Sequence, residues 1–444
     1  MNTPKPRLAI VSSHNICCAL AYYAAALKDL LNAAFDIEII DLKTSELLRQ
    51  EGESYKKLSE AYIEQLCTKL QEFDVVNVHL ELGIFGTSCE LIMSRIIKIC
   101  QSSGRLILTV HTIDYKDLQN RHGYIYQQIM NSLKQRPPSN PFHLIAHLPQ
   151  EKELLKKHFD FDNVTDFPLI YLTNERRKHF LQSRNPNVWK KQFGLCEQDI
   201  TIGVFGLLSQ HKNYPHALKT LNILPSNYKL LVIGEAHHMS IKERQVDPVI
   251  QEMISYIDQH PLLVERVLFT GKRDDAKYYE DLANIDFVLL PSFEVRQSGS
   301  ATLSNALELS CAILKSNTYN AREYEIYFPN CFEVFDIGNY YETRNKILTF
   351  DKAKIANLRQ RVDLYSEVQL QKIYSTIYDS MKAHIPVAYT PVDALFQSLK
   401  KRTPLDITNK LFNGYGPIRS IFNLMPSSIK SVLRKIKKNL NPSR

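Results

Sequence analysis

No apolar run in this sequence of 444 residues approaches the ~18–20 residues that a membrane-spanning helix needs. The first stretch that invites comparison with an export signal, residues 8–27, is interrupted by Ser12, Ser13, His14 and Asn15, which suits strand, loop and helix better than a continuous apolar segment. Eight cysteines include no C-x-x-C pair, and Cys17 and Cys18 adjoin each other instead of standing at metal spacing. No two histidines fall at metal-ligand spacing with a carboxylate, so no metal is expected. Glycine is scarce, with 14 in all, and no short period repeats. What remains is the expectation of a reduced, cytoplasmic, globular chain.

The chain is too long for one ordinary core and suggests two domains plus additions. Its charge is unevenly spread. Residues 396–444 carry eleven Lys/Arg and one acidic residue, Asp406, a net +10, which leaves −2 for the other 395 residues of a chain at +8 overall. Within that tail Ile429, Val432, Leu433, Ile436 and Leu440 recur at helical spacing, while Lys430, Arg434, Lys435, Lys437 and Lys438 fill the other faces. A basic amphipathic helix over 426–444 would suit an anionic membrane surface; a solvated tail or a helix on a partner protein is the alternative. Aromatic residues are too few there for nucleic-acid stacking, so no nucleic acid is expected.

Along the rest, strand-like runs at 7–11, 35–42, 73–80 and 105–111 alternate with helical patterns at 19–31, 44–72 and 89–101. Residues 173–187 lose apolar periodicity and read as a linker. A second series follows at 200–205, 216–224, 229–233, 250–259, 267–270 and 278–283, and residues 352–383 read as helical. Such alternation predicts parallel sheets with crossover helices. The densest signal lies late in that series. A buried strand at 287–290 ends on Pro291, a loop carries Glu294, Arg296, Gln297, Ser298, Gly299 and Ser300, and a small-residue helix starts at Ala301. A helix N-terminus after such a strand is ready to hold an anion, with Thr302 and the loop hydroxyls to assist.

These residues resemble the donor-binding segment of family 4 glycosyltransferases, and the resemblance spreads over both halves. The loop after the first strand, Glu81-Leu82-Gly83-Ile84-Phe85-Gly86, Val110-His111-Thr112, residues 143–148 and Phe167-Pro168-Leu169 look like that family's acceptor-side domain. The resemblance implies a GT-B fold, that is, an α/β protein of two Rossmann-like domains with a cleft between them, here followed by a basic C-terminal tail. The implied division is 1–180 for the acceptor side, 181–360 for the nucleotide-sugar side, 361–390 for helices crossing back, and 391–444 for the tail. It also implies a retaining glycosyltransferase that moves a sugar from a nucleotide-diphosphate donor to a glycan or lipid-linked acceptor, in surface polysaccharide synthesis. The donor would be held by Gly206, Lys212, Gly271, Lys272, Arg296, Gln297, Ser298, Gly299, Ser300, Thr302, Asn305 and Glu323. The acceptor side would comprise His14, Cys18, Glu81, His111 and His147. His111, Lys212 and Arg296 are the implied catalytic groups, and the Asp-x-Asp of metal-dependent transferases has no clear counterpart.

Four positions depart from the family pattern. Gln297 and Asn305 stand where two glutamates are common, Leu207 stands where an arginine is, and Cys18 stands where glycine lets the backbone approach the diphosphate. Arg296 is the candidate to replace the missing cation. The departures keep a second reading open, a non-catalytic scaffold that binds without transferring.

Overall fold

A computed structural model of the chain describes residues 4–16, 18–49, 52–113, 121–235, 247–293, 298–385 and 387. The first half folds around strands β1 (Arg7–Ser12), β2 (Asp36–Asp41), β3 (Val75–Leu80), β4 (Leu106–Val110), β5 (Phe142–Ala146) and β6 (Val164–Asp166), joined in the order β2-β1-β3-β4-β5-β6. The second half uses β7 (Ile200–Phe205), β8 (Tyr228–Ile233), β9 (Val267–Gly271), β10 (Phe287–Leu290), β11 (Ile313–Ser316) and β12 (Glu333–Phe335), in the order β12-β11-β10-β7-β8-β9. Every pairing is parallel, for example Ile200 with Tyr228 through to Phe205 with Ile233. Helices cover both sheets, so β3 and β4 are buried at every position and are mostly apolar, with Asn77, His79 and Thr109 as the polar exceptions. The architecture is the two-lobed GT-B fold.

Strand order determines where a ligand can enter. In the first sheet the chain steps from β1 out to β2 and then returns to β3 on the other side of β1. The second sheet does the same at β7, which lies between β8 and β10. At such a reversal the loops leave the strand ends in opposite directions and open a crevice. The loop carrying Cys18 follows β1, and the loops starting at Gly206 and Pro291 follow β7 and β10, so the expected binding segments stand at the two reversals.

Three sequence expectations change in detail. Residues 44–72 form two helices, Thr44–Leu47 and Gly52–Leu70, and Gly52 adopts φ +59°, a left-handed conformation that ends a regular helical path. The linker at 173–187 is largely helical, as Asn174–Gln182 and Pro186–Lys191. The Thr173 and Asn185 side chains cap these helices, and Pro186 occupies a first-turn site where its missing N–H costs nothing. Residues 352–383 split into Ala353–Val362 and Glu367–Ala383 at an extended Ser366.

Helix Glu367–Ala383 returns to the first lobe. Gln371 donates to Leu30 O at 2.7 Å, and the Tyr374 hydroxyl accepts from Asn77 Nδ2 at 3.0 Å inside the first sheet. Asn77 Oδ1 accepts in turn from Thr109 at 2.8 Å, so two polar residues on fully buried strands are satisfied by that crossing helix.

Candidate active site

Between the lobes lies a cavity of about 630 Å³. Gly206, Leu207, Ser209, Lys212, Lys272, Ser300, Thr302 and Asn305 of the second lobe line it, opposite Cys18, Ala19, Tyr22 and Asp29 on helix Ala19–Leu31 of the first. Its polar centre is tightly drawn. Gly206 adopts φ +115°, and a Cβ built there would lie 3.5 Å from Lys212 Nζ and 4.0 Å from Thr302 Oγ1. The lysine amine, the threonine hydroxyl and the backbone at the end of β7 therefore share one spot. Ser300 caps helix Ala301–Glu308 by accepting from Leu303 N at 3.3 Å, which leaves its earliest N–H groups without intrahelical partners beside that amine. A cation, a hydroxyl and a helix N-terminus at one point make a seat for phosphate.

The loops that carry these groups are tied to one another. Lys212 ends a single 3-10 turn, Gln210–Lys212, and Asn213 then takes φ +56° and donates through Nδ2 to Pro291 O at 3.1 Å, linking the loop after β7 to the loop after β10. Lys272 pairs with Glu235 at 3.2 Å on the outer wall, an exposed pair of small energetic weight. Gly271 ends β9 with φ +68° next to Lys272 but outside the cavity lining. Asn305 is held between two phenols: Oδ1 accepts from Tyr279 and Nδ2 donates to Tyr278, both at 3.4 Å.

The other expected site residues lie elsewhere. Ser298 is fully buried and stands beside Glu151 of the first lobe, and Gly299 passes so close to Leu169 that an added Cβ would sit 2.6 Å from its Cδ1. Glu323 accepts from Gln150 N at 2.9 Å, at the start of helix Pro149–His158, so it joins the lobes and does not line the cavity. The backbone of His14 donates to Asp41 at 3.0 Å, and Glu81 lies half-buried at the end of β3. Arg296 and Gln297 lie outside the described residues, as does the segment 426–444 for which a helix is expected.

His111 and His147 follow β4 and β5 and belong to a buried cluster one layer behind the cavity. His79, His111 and His147 form a row with ring centroids 4.8 Å apart at each step, and Tyr23 touches all three at 5.4–5.6 Å. Tyr23 also meets Tyr171, which does line the cavity, at 5.6 Å. Burial drives all three imidazoles towards the neutral form, with His79 lowered to about 3 and His147 to about 4. A neutral His111 can accept or donate a hydrogen bond, while burial beside two further imidazoles opposes its taking up a proton and becoming charged.

Sequence reasoning missed several residues that hold this arrangement. Glu308 is buried on helix Ala301–Glu308 and accepts from Tyr171 N and Leu172 N at 2.9–3.1 Å, fastening the helix that bears the anion seat to the first lobe's exit segment. Burial raises its carboxyl to about 8 against the pull of those N–H groups, and raises Glu151 to about 8 and Glu323 to about 7. Arg176 lines the cavity, pairs with Asp275 and lies 5.4 Å over the Tyr279 ring. The one local signal was Glu308 itself, a carboxylate set between Leu307 and Leu309 in an otherwise apolar run. Among the described residues no three His, Cys, Asp or Glu are grouped as a metal would need, and no helix is long and apolar enough to cross a membrane.

With this geometry in hand, the fold can be set beside known structures. No family model matches the chain, and no curated protein matches it by sequence. Solved structures do share the GT-B architecture. HepE of Anabaena, solved with UDP, superposes with a TM-score of 0.60 at 13% identity, covering 84% of this chain and 100% of that one. WaaG, a glycosyltransferase involved in lipopolysaccharide biosynthesis, gives 0.57 at 14% identity over 84% and 99%. A putative UDP-N-acetylglucosamine 2-epimerase from Listeria monocytogenes gives 0.57 at 11% identity over 87% and 100%. Transfer and epimerisation both appear among these neighbours, so activity has to be argued from the site.

Proposed function

We propose that the protein is a retaining glycosyltransferase of the family 4 type, taking a sugar from a nucleotide-diphosphate donor to a glycan or lipid-linked acceptor in surface polysaccharide synthesis. The observation that carries this reading is the convergence of Lys212, Gly206, Thr302 and the start of helix Ala301–Glu308 in a cavity closed by the other lobe. In support, HepE has been solved with UDP and with UDP-glucose, and it shares the fold. On this reading the diphosphate rests against Lys212 and the helix N-terminus, and Arg296 supplies a second cation. These groups stabilise the charge that develops on the leaving diphosphate as the glycosidic bond breaks, with no metal required. Retention follows from attack on the face the diphosphate leaves, with the departing phosphate taking the acceptor's proton. The protein then contributes positioning and electrostatics, completed by closure of the lobes.

Incubation with UDP-, GDP- and ADP-sugars, followed by mass spectrometry, tests the reading: slow release of sugar from one donor is expected without acceptor. Binding of a nucleotide with no turnover of any donor would favour the scaffold, a reading to which Leu207 in the cavity wall lends weight. The basic tail at 426–444 is proposed to bring the enzyme to anionic lipid on the inner face of the membrane, where a lipid-linked acceptor would be found. Deletion of those residues should abolish sedimentation with anionic liposomes, and unchanged sedimentation removes the membrane role.

A further inference from the structure

The anion-binding loop has a back as well as a front. Its front, Ser300 to Thr302, faces the cavity. Its back is Ser298 and Gly299, which press on the first lobe at Glu151 and Leu169. Glu151 and Ser298 are each 0% exposed, yet Glu151 Oε2 and Ser298 Oγ have no hydrogen-bond partner. Ser298 is nevertheless near enough to hold the Glu151 carboxyl's affinity for protons down. Two buried polar atoms, each without a hydrogen-bond partner, thus stand near each other across the lobe boundary. Leaving both unmade is costly, and a small shift of the loop would satisfy both. The other oxygen of Glu151 is already anchored, accepting from Ile113 N at 3.3 Å, so the movable partner is the loop.

We propose that Glu151 is a positioning residue for the anion-binding loop: it engages Ser298 from behind and so aims the N–H groups of Ala301 and Thr302 at a bound nucleotide's phosphates. This rests on the nucleotide-sugar reading above and extends it to a residue of the opposite lobe that touches no donor atom. The contact makes donor affinity depend on the first lobe. It also supplies a physical route by which a filled donor seat draws the lobes together, because loop ordering and lobe contact are one event.

The test is a double-mutant cycle read by calorimetric titration of the full chain with UDP, GDP and ADP, using whichever binds the parent. Glu151→Leu removes the polar partner, Ser298→Ala removes the hydroxyl, and the double variant removes both. Each single substitution is expected to weaken nucleotide binding about tenfold, the worth of one buried hydrogen bond, and the double variant should be no weaker than the worse single one. Glu151→Gln keeps a polar group opposite Ser298 and should restore most of the affinity. Thermal melting of each variant separates loss of fold from loss of contact, since a merely structural Glu151 would lower the melting point without coupling to Ser298 in nucleotide affinity. Unchanged affinity in the single variants, or losses that simply add, overturns the contact while leaving the donor reading intact. A parent chain that binds none of the three nucleotides overturns the donor reading, and the proposed contact falls with it.

Discussion

Gly234→Ala should damage the second lobe more than any other alanine substitution at a described glycine. Gly234 follows β8 with φ +152°, and a Cβ there would lie 1.9 Å from Gly206 O and 2.8 Å from Gly206 C. Both contacts are to backbone, so no side chain can swing aside. The two backbone segments would have to part by on the order of 1 Å, yet they are fastened one residue away, where Gly206 N donates to Ile233 O at 3.0 Å. Breaking that bond, leaving its groups buried and straining the backbone together should cost about 4 kcal/mol. For a lobe of this size that is a fall of about 10 °C in melting temperature. Gly206 also lies against Lys212 and Thr302, so affinity for whichever of UDP, GDP and ADP the parent takes should fall with stability. Gly104→Ala is the control, because nothing lies within 4 Å of a Cβ there. Differential scanning calorimetry and titration of both variants with the nucleotide that binds the parent make the comparison. A Gly234→Ala protein that melts and binds that nucleotide like the parent would refute the reasoning and the geometry behind it.

Lys212→Met should weaken binding of whichever of UDP, GDP and ADP the parent takes about 10- to 100-fold and flatten its dependence on salt, as loss of a charge-assisted phosphate contact requires; equal salt slopes would place the lysine outside the seat. Cys18 lines the cavity, so a bulky maleimide should block binding of that nucleotide and the bound nucleotide should slow its labelling, with Cys18→Ser as the insensitive control. Stability should peak near pH 6.5 when melting temperature is followed from pH 4 to 9. Glu151, Glu308 and Glu323 hold their protons to about 7–8 when folded, so their contribution is full below the ordinary carboxyl range and is lost as pH rises through 7–8. His79, His143 and His147 have folded values of about 3–4, so theirs is full above the ordinary imidazole value and is lost as pH falls below it. A melting temperature that climbs steadily to pH 9 would contradict the raised carboxyls.

Much of the scaffold could be read from local pattern. The apolar-rich stretches at 73–80 and 105–111 announced strands, and the passage from 287–290 through Pro291 to Ala301 announced buried strand, loop and helix start. The arrival of Lys212, Ser300 and Thr302 in one cavity agrees with that reading. His111 fared differently. Its place after a parallel strand suggested that it lines the cleft; it is buried against Tyr23, which in turn meets the cavity-lining Tyr171. Glu323, readable as a hydroxyl acceptor or as a helix-start carboxylate, receives a backbone N–H at the start of helix Pro149–His158 in the opposite lobe. Short helices at 174–182 and 186–191 escaped notice because side-chain caps and a proline define them, not an apolar stripe.

By itself the sequence determined where most strands and the longer helices lie, that they alternate in two series, and that positive charge gathers at the C-terminus. These follow from residue spacing and composition, which act over a few turns of chain. Only the tertiary structure decided which side chains meet. Glu308 with Tyr171, Glu323 with Gln150 and Tyr374 with Asn77 are partners separated by 137, 173 and 297 positions. Such pairings are selected by the order of strands in each sheet and by the need to satisfy polar groups buried where the lobes meet, and no local periodicity carries that information.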